Sequence, residues 1–122
     1  MEQSLIDRLV AGTCPDPDGG APLKVATRAV AVARSLDGME ADLVRPLGLG
    51  RTLAVVSDPQ THAVLGARVT RALQGIAKIA SINLPEHPHA DDATVEALRK
   101  ATASADALVA IGSGTINDLC KY

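Results

Sequence analysis

The sequence predicts an α/β fold in which helices flank a mostly parallel β-sheet. Continuous apolar runs, which are typical of strands buried on both faces of a sheet, alternate along the chain with segments of helical periodicity. Strands that alternate with helices of about 10–15 residues are typical of βαβ units. The chain also lacks Phe and Trp and has a single Tyr. Its core must therefore consist of Ala, Val, Leu and Ile, which suits thin layers of helix on sheet.

Four segments are predicted as strands because they are apolar or weakly alternating and are bounded by turn residues. Residues 52–56, the most continuous apolar run, are followed by Asp58-Pro59. This pattern is typical of a central strand that ends at a turn. In chain order the predicted strands are residues 28–33, 52–56, 76–84 and 107–111.

Five segments are predicted as helices from their apolar periodicity and their terminal residues. Ser4 caps the first helix, and Gly48 and Gly75 end the second and third. The fourth carries Asp91 and Asp92 in its first turn and basic residues in its last, which matches the helix dipole. The predicted helices cover residues 5–11, 37–47, 61–75, 91–102 and 115–121. The third is expected to bury Val64, Leu65, Val69, Ala72 and Leu73.

Length and composition predict one domain and exclude several classes of function. The 122 residues suffice for one core, and residues 1–22 form a helix and a loop rich in Pro, Gly and Asp. A net charge of −2 without a basic block argues against nucleic-acid binding. No apolar run is long enough to span a membrane, and the N-terminus does not resemble a signal peptide. Cys14 and Cys120 are too few for a disulfide framework or a zinc site. We therefore expect a cytoplasmic protein.

Asp58 is the first candidate binding residue because it comes straight after Val55-Val56-Ser57, at the end of a predicted strand. In open α/β sheets, ligands bind beyond the carboxyl ends of the strands. A carboxylate there accepts hydrogen bonds from a ribose diol and repels a 2′-phosphate, which favours NAD over NADP. The alternative is a turn residue before Pro59, since Asp-Pro is common in turns.

The second candidate site is the turn Gly112-Ser113-Gly114, between a predicted strand and a predicted helix. Small residues let backbone N–H groups approach a phosphate, and the helix N-terminus favours negative charge. It is not a G-x-G-x-x-G fingerprint, because Asn117 replaces the third glycine and the turn follows the fourth strand. A strand-to-helix turn without a ligand is the alternative.

Asp118 and Lys121 lie one helical turn apart and are candidates for orienting hydroxyls and neutralising charge on a ligand. They are also compatible with an ordinary solvated i,i+3 pair. His87 and His89 resemble a chelating pair, but no third ligand is nearby, so no metal site is assigned. Cys120 is interpreted as a packing residue.

Residues 112–122, GSGTINDLCKY, resemble the NAD(P)-dependent sn-glycerol-1-phosphate dehydrogenase family. That family belongs to the superfamily of iron-containing alcohol dehydrogenases, glycerol dehydrogenase and dehydroquinate synthase, and it carries a G-G/S-G-x-x-x-D-x-x-K pattern. All fixed positions of the pattern are present. Residues 53–61 and 84–91 also resemble bacterial members, so the similarity covers nearly the whole chain.

The resemblance implies a Rossmann-like fold for residues 1–122 and a role for each candidate residue. Gly112, Ser113, Gly114 and the adjacent Thr115 would bind the pyrophosphate of NAD or NADP, and Asp58 would bind the adenosine ribose. Asp118 and Lys121 would lie near the nicotinamide and the substrate. The implied reaction is hydride transfer between NAD(P)H and dihydroxyacetone phosphate, giving sn-glycerol 1-phosphate for phospholipid synthesis.

The resemblance also implies a divalent metal, Zn, Ni or Fe, that polarises the carbonyl group. In the family its ligands lie in a helical domain that follows the cofactor-binding domain, and none is assigned to His62, His87 or His89. The chain is thus expected to be the N-terminal cofactor-binding half of a two-domain dehydrogenase, inactive by itself. Two alternatives remain: another polyol or alcohol dehydrogenase of the superfamily, or a non-catalytic α/β association module. A homodimer is expected from an exposed apolar face.

Overall fold

The computed structural model describes residues 3–112 and 114–122. The chain divides into two compact units, Met1–Ser35 and Leu36–Tyr122. Helix α1, Leu5–Ala11, belongs to the first unit, and all other named elements belong to the second. In the part of the chain that the structure describes, no helix is long and apolar enough to cross a membrane.

The first unit contains helix α1, which begins and ends as the sequence predicts. The Ser4 hydroxyl accepts a hydrogen bond from the Asp7 backbone N–H at 3.1 Å, and the Asp7 carboxylate accepts one from the Ser4 backbone N–H. This is a capping box. Gly12 ends the helix in the left-handed conformation, with φ of 76°.

The predicted strand at residues 28–33 is wrong. These residues form no strand, and all of them are exposed, including Val32 at 86%. Apart from Arg28, these residues are three Ala and two Val, and the small Ala side chains would bury little apolar surface on pairing. The four-stranded sheet expected from the sequence is therefore three-stranded within the described residues.

The second unit contains a parallel sheet with strand order β2-β1-β3. The strands are β1 (Thr52–Ser57), β2 (Lys78–Asn83) and β3 (Ala107–Ala110). The register pairs Thr52 with Lys78 on one side of β1 and Leu53 with Ala107 on the other. The central position of β1 explains its continuous apolar run, because Leu53, Ala54, Val55 and Val56 are at most 1% exposed.

The helices of this unit cover both faces of the sheet. They are α2 (Glu40–Val44), α3 (Pro59–Thr61), α4 (Ala67–Leu73), α5 (Asp92–Ala101) and α6 (Gly114–Lys121). Val69 and Leu73 of α4 pack with Leu53 and Val55 on one face. Leu98, Ile116 and Leu119 of α5 and α6 pack with Val56 on the other. The structure thus confirms an α/β fold of the Rossmann-like type.

The helix predicted at residues 61–75 is interrupted by a π-helical turn, His62–Gly66, between α3 and α4. A π turn contains more residues than an α turn. The side chains after its start therefore point in other directions around the helix axis than they would in a continuous α-helix. Val64, which we expected to be buried, is 77% exposed, whereas Val69 and Leu73 are buried as predicted.

Asp106 links β1 and the start of β3 at the amino edge of the sheet. Its Oδ2 accepts hydrogen bonds from the backbone N–H groups of Thr52 at 2.9 Å and Arg51 at 2.8 Å. These bonds hold the pKa of the carboxyl group below its usual range. Gly50, with φ of 107°, must be glycine because a β-carbon there would lie 2.5 Å from Cβ of Asp106.

Leu73→Ala should lower the free energy of unfolding by about 2–5 kcal/mol, because it leaves a cavity between α4 and the sheet. The matched control is Leu5→Ala, at a side chain that is 57% exposed, which should change it by less than about 0.5 kcal/mol. Urea denaturation measures both. Similar losses in the two variants would contradict the assignment of this face of the sheet to the core.

Candidate functional site

The carboxyl edge of the sheet has the geometry of a ligand-binding crevice. The chain passes from β1 to β2 through α3 and α4, which cover one face, and from β2 to β3 through α5, on the other. Neighbouring strands whose connections leave to opposite faces open a crevice at their carboxyl ends. In this sheet β1 forms such a pair with each neighbour, because α5 and α6, which follow β2 and β3, both pack on the face opposite to α4.

Asp58, at the end of β1, caps the helix that follows. Its Oδ1 accepts a hydrogen bond from the Thr61 backbone N–H at 2.8 Å, and the Asp58 backbone N–H donates to Oγ1 of Thr61 at 3.0 Å. Asp58 therefore has the structural role in the turn that the alternative interpretation gave it. A carboxylate has two acceptor oxygens, and the cap uses one of them. The half-buried side chain also lines a cavity, so a structural and a binding role are compatible.

Gly112, at the end of β3, combines a close approach to its neighbours with a backbone conformation that residues with a β-carbon rarely adopt. Its φ is 146°, and a β-carbon would lie 2.5 Å from Cδ1 of Ile116 and 3.0 Å from Cγ2 of Thr61. Ile111, the preceding residue, donates its backbone N–H to the carbonyl of Val56 at 2.9 Å. Gly112 therefore brings the backbone after β3 against the turn after β1.

Gly114 has a different environment, although it lies only two residues further on. Apart from its chain neighbours and the backbone of its own helix, no described atom lies within 4 Å of the position that a β-carbon would take. Gly114 is exposed and opens α6. The space beside it is open to a ligand, and the backbone N–H groups of a first helical turn have no partner within their own helix. Ser113, the remaining residue of the predicted turn, lies outside the described residues.

Two cavities lie at this edge of the sheet. The larger has a volume of about 590 Å³ and the smaller about 340 Å³. Such volumes are typical of sites for small molecules. Gln60 and Thr61 line both cavities, so the cavities are two lobes of one cleft. Asp58 and Thr115 line the larger lobe, and Gly112 lines the smaller.

The cleft thus unites most of the predicted cofactor residues but not the predicted substrate residues. Asp118 and Lys121 are exposed on α6, and Oδ1 of Asp118 lies 3.9 Å from Nζ of Lys121. Neither of these two side chains lines either lobe. The contact between them is the solvated i,i+3 pair that the sequence also allowed.

Sequence reasoning considered His87 and His89 only as a possible metal-chelating pair and did not place the loop after β2 beside Asp58. Glu86, His87 and His89 line the larger lobe. His87 has a φ of 49°, in the left-handed region that residues other than glycine adopt infrequently. The available signal was position, since the loop begins where a parallel strand ends and so must reach the same edge as Asp58.

The loop is anchored at the start of α5. Oδ1 of Asp91 accepts a hydrogen bond from the Thr94 backbone N–H at 2.8 Å, so Asp91 is the N-cap of α5, and Asp92 lies in the first turn as predicted. Hydrogen bonds from the side chain and backbone of Thr94 lower the pKa of Asp91, and the charge of His89 contributes to the same shift.

Residues 3–112 and 114–122 contain no group of three or more His, Cys, Asp or Glu side chains placed to hold a metal ion. The described side chains therefore do not fit a metal centre.

A model of the iron-containing alcohol dehydrogenase family matches residues 30–122. The chain belongs to this family. Members of the family are oxidoreductases that act on CH–OH groups, typically with NAD(P) and a metal. The superfamily expected from residues 112–122 is thereby confirmed. Comparisons with curated proteins and with solved structures gave no significant match.

The matched region contains the whole second unit and therefore every residue of the cleft. The family match and the crevice at the carboxyl edge of the sheet therefore concern the same part of the chain.

Asp58→Ala should lower the free energy of unfolding by about 0.5–2 kcal/mol, because the Thr61 N–H loses its cap. Asp58→Asn should change it by only a few tenths of a kcal/mol, since Asn caps helices about as well as Asp. Urea denaturation of the two variants measures this difference. Equal stability of both variants would show that the cap contributes nothing.

Proposed function

We propose that residues 1–122 form the NAD(P)-binding domain of a metal-dependent sn-glycerol-1-phosphate dehydrogenase, which interconverts dihydroxyacetone phosphate and sn-glycerol 1-phosphate. The observation that carries the cofactor part is the meeting of two strand ends: Gly112 after β3 lies against Thr61, which Asp58 caps after β1. Acidic and glycine residues that are 54 positions apart in sequence thereby reach one cleft.

The pyrophosphate of the cofactor would bind at the residues that open α6. Backbone N–H groups of a first helical turn attract phosphate through hydrogen bonds and through the helix dipole. The open space at Gly114 allows a ligand to approach the backbone, and Thr115 lines the larger lobe. The proposed pyrophosphate site is the segment Gly112, Ser113, Gly114 and Thr115.

The adenosine ribose would bind at Asp58, in the larger lobe. The carboxylate oxygen that is not used in the cap is an acceptor for a ribose hydroxyl. The same negative charge disfavours a 2′-phosphate, and we therefore propose NAD as the preferred cofactor. The volume of this lobe, about 590 Å³, is sufficient for a nucleoside.

The substrate would bind toward the Asp118 and Lys121 end of α6. The support is the pattern of residues 112–122, in which both side chains occupy fixed positions, and the ammonium group, which suits a phosphorylated substrate. When bound, the cofactor supplies hydride transfer to or from the substrate carbon. The residues of this chain bind the cofactor and orient its reactive end.

The proposal includes a cytoplasmic location and self-association. Both Cys14 and Cys120 are free thiols, as is usual in reducing compartments. Burial raises the pKa of the Cys120 thiol, which fits a packing residue and not a nucleophile. Val30 and Val32, at 49% and 86% exposed, offer apolar surface for association of two copies.

Gly114→Val should reduce NAD affinity by at least about tenfold, because its side chain would occupy the open space beside the proposed pyrophosphate site. Calorimetric titration of the full chain with NAD measures the dissociation constant. The structure predicts that the variant folds normally, since the new side chain meets no described atom near its β-carbon.

The matched control is Gly75→Val, which also adds a β-carbon in open space but lies at the end of α4. It should bind NAD like the unmodified chain. Unchanged binding by Gly114→Val, or an equal loss in both variants, would overturn the assignment of the pyrophosphate site.

A further inference from the structure

The larger lobe has an unusual set of charged and titratable side chains. Asp58 faces it from the turn after β1, and Glu86, His87 and His89 face it from the loop after β2. None of the described side chains that line this lobe is Lys or Arg. The ionisable side chains described in the lining of this lobe are therefore two carboxylates and two imidazoles.

His87 is held in a conformation that its residue type adopts infrequently. Its φ of 49° lies in the left-handed region, which is unfavourable for residues with a β-carbon. Glycine or asparagine would adopt this conformation more easily. A strained residue in the wall of a binding cleft suggests a function for its side chain.

We propose that His87 and His89 make the choice between NAD and NADP depend on pH, by adding positive charge to the lobe that receives the ribose 2′ position. This inference rests on the proposed function, because it assigns the larger lobe to the adenosine end of the cofactor. The inference adds to the proposed function two residues that determine the preference for NAD or NADP, His87 and His89, and it names pH as the condition that changes this preference.

The argument follows from the charge of the lobe. With both imidazoles neutral, the carboxylates of Asp58 and Glu86 dominate, and a 2′-phosphate with a charge of about −1.5 to −2 is repelled. Histidine side chains change charge between about pH 5 and pH 8. With His87 and His89 protonated, two positive charges balance the two carboxylates, and charge-assisted hydrogen bonds to phosphate become available.

The surrounding elements contribute one further titratable group. Asp91 at the start of α5 interacts electrostatically with His89, and its lowered pKa keeps it ionised throughout the relevant range. The element that covers the lobe from β3, the first turn of α6, contributes Thr115, which does not titrate.

The test is calorimetric titration of the full chain with NAD and with NADP at about pH 8 and about pH 6, at low ionic strength so that exposed charges are not screened. The measured quantity is the ratio of the NADP dissociation constant to the NAD dissociation constant. Acidification should lower this ratio about five- to tenfold in the unmodified chain.

The decisive variant is the double substitution His87→Asn and His89→Asn. Asparagine tolerates the left-handed conformation at residue 87 and carries no titratable group. Since the 2′-phosphate itself titrates near pH 6, the double variant also measures the contribution of the ligand. Its ratio should change less than about twofold. The matched control is His62→Asn, because His62 is the third histidine of the chain and does not line this lobe. In His62→Asn the ratio of the two dissociation constants should fall on acidification as much as in the unmodified chain.

The outcomes separate this inference from the proposed function. If NAD does not bind at either pH, the proposed function fails and the inference fails with it. If NAD binds and the ratio changes equally in the unmodified chain and in the double variant, only the inference is overturned. A ratio that falls in the unmodified chain and in His62→Asn, but not in the double variant, supports both.

Discussion

The burial of β1 on both faces is the constraint on which the second unit depends. Leu53, Ala54, Val55 and Val56 are at most 1% exposed, and a strand so buried needs a partner on each side and a helical layer on each face. β2 and β3 supply the hydrogen bonds, and two apolar clusters cover the faces. Leu53 and Val55 belong to one apolar cluster and Val56 to the other. A shift of the strand register by one residue would therefore turn each of these side chains to the opposite face of the sheet.

The same constraint determines where the site lies. β1 ends at Ser57, which is fully buried, so the next residue is the first that a ligand can reach. Asp58 is that residue, and its hydrogen bond with Thr61 caps the start of α3. Both residues also line the larger lobe of the cleft. Gly112 then packs against Thr61 from the other strand. The structural role and the proposed binding role therefore coincide at the end of β1, whereas at Gly114 no packing contact of the fold requires glycine.

Elements whose pattern reflects burial could be predicted from the sequence. β1 was recognisable as a continuous apolar run, and α5 by its acidic start and basic end. Residues 28–33 were wrongly predicted as a strand because weak alternation does not reveal whether a partner strand exists. The π turn at His62–Gly66 has no composition signal, so the exposure of Val64 could not be foreseen.

The candidate site was predictable in part for the same reason. Asp58 and Gly112 follow strands, and their proximity follows from parallel topology alone. The contribution of Glu86, His87 and His89 depends on the path of a loop, which local sequence does not determine. The solvated position of Asp118 and Lys121 depends on which face of α6 is buried, and Ile116 and Leu119 decide it.

The central claim is that a dinucleotide binds at the carboxyl edge of the sheet. The most direct test is to record backbone amide resonances of the chain during a titration with NAD. We predict that the largest shifts occur at Thr61, Gly112 and Thr115, which surround the cleft. Shifts concentrated at the opposite edge, around Gly50, Thr52 and Asp106, or no shifts at millimolar NAD, would contradict the claim.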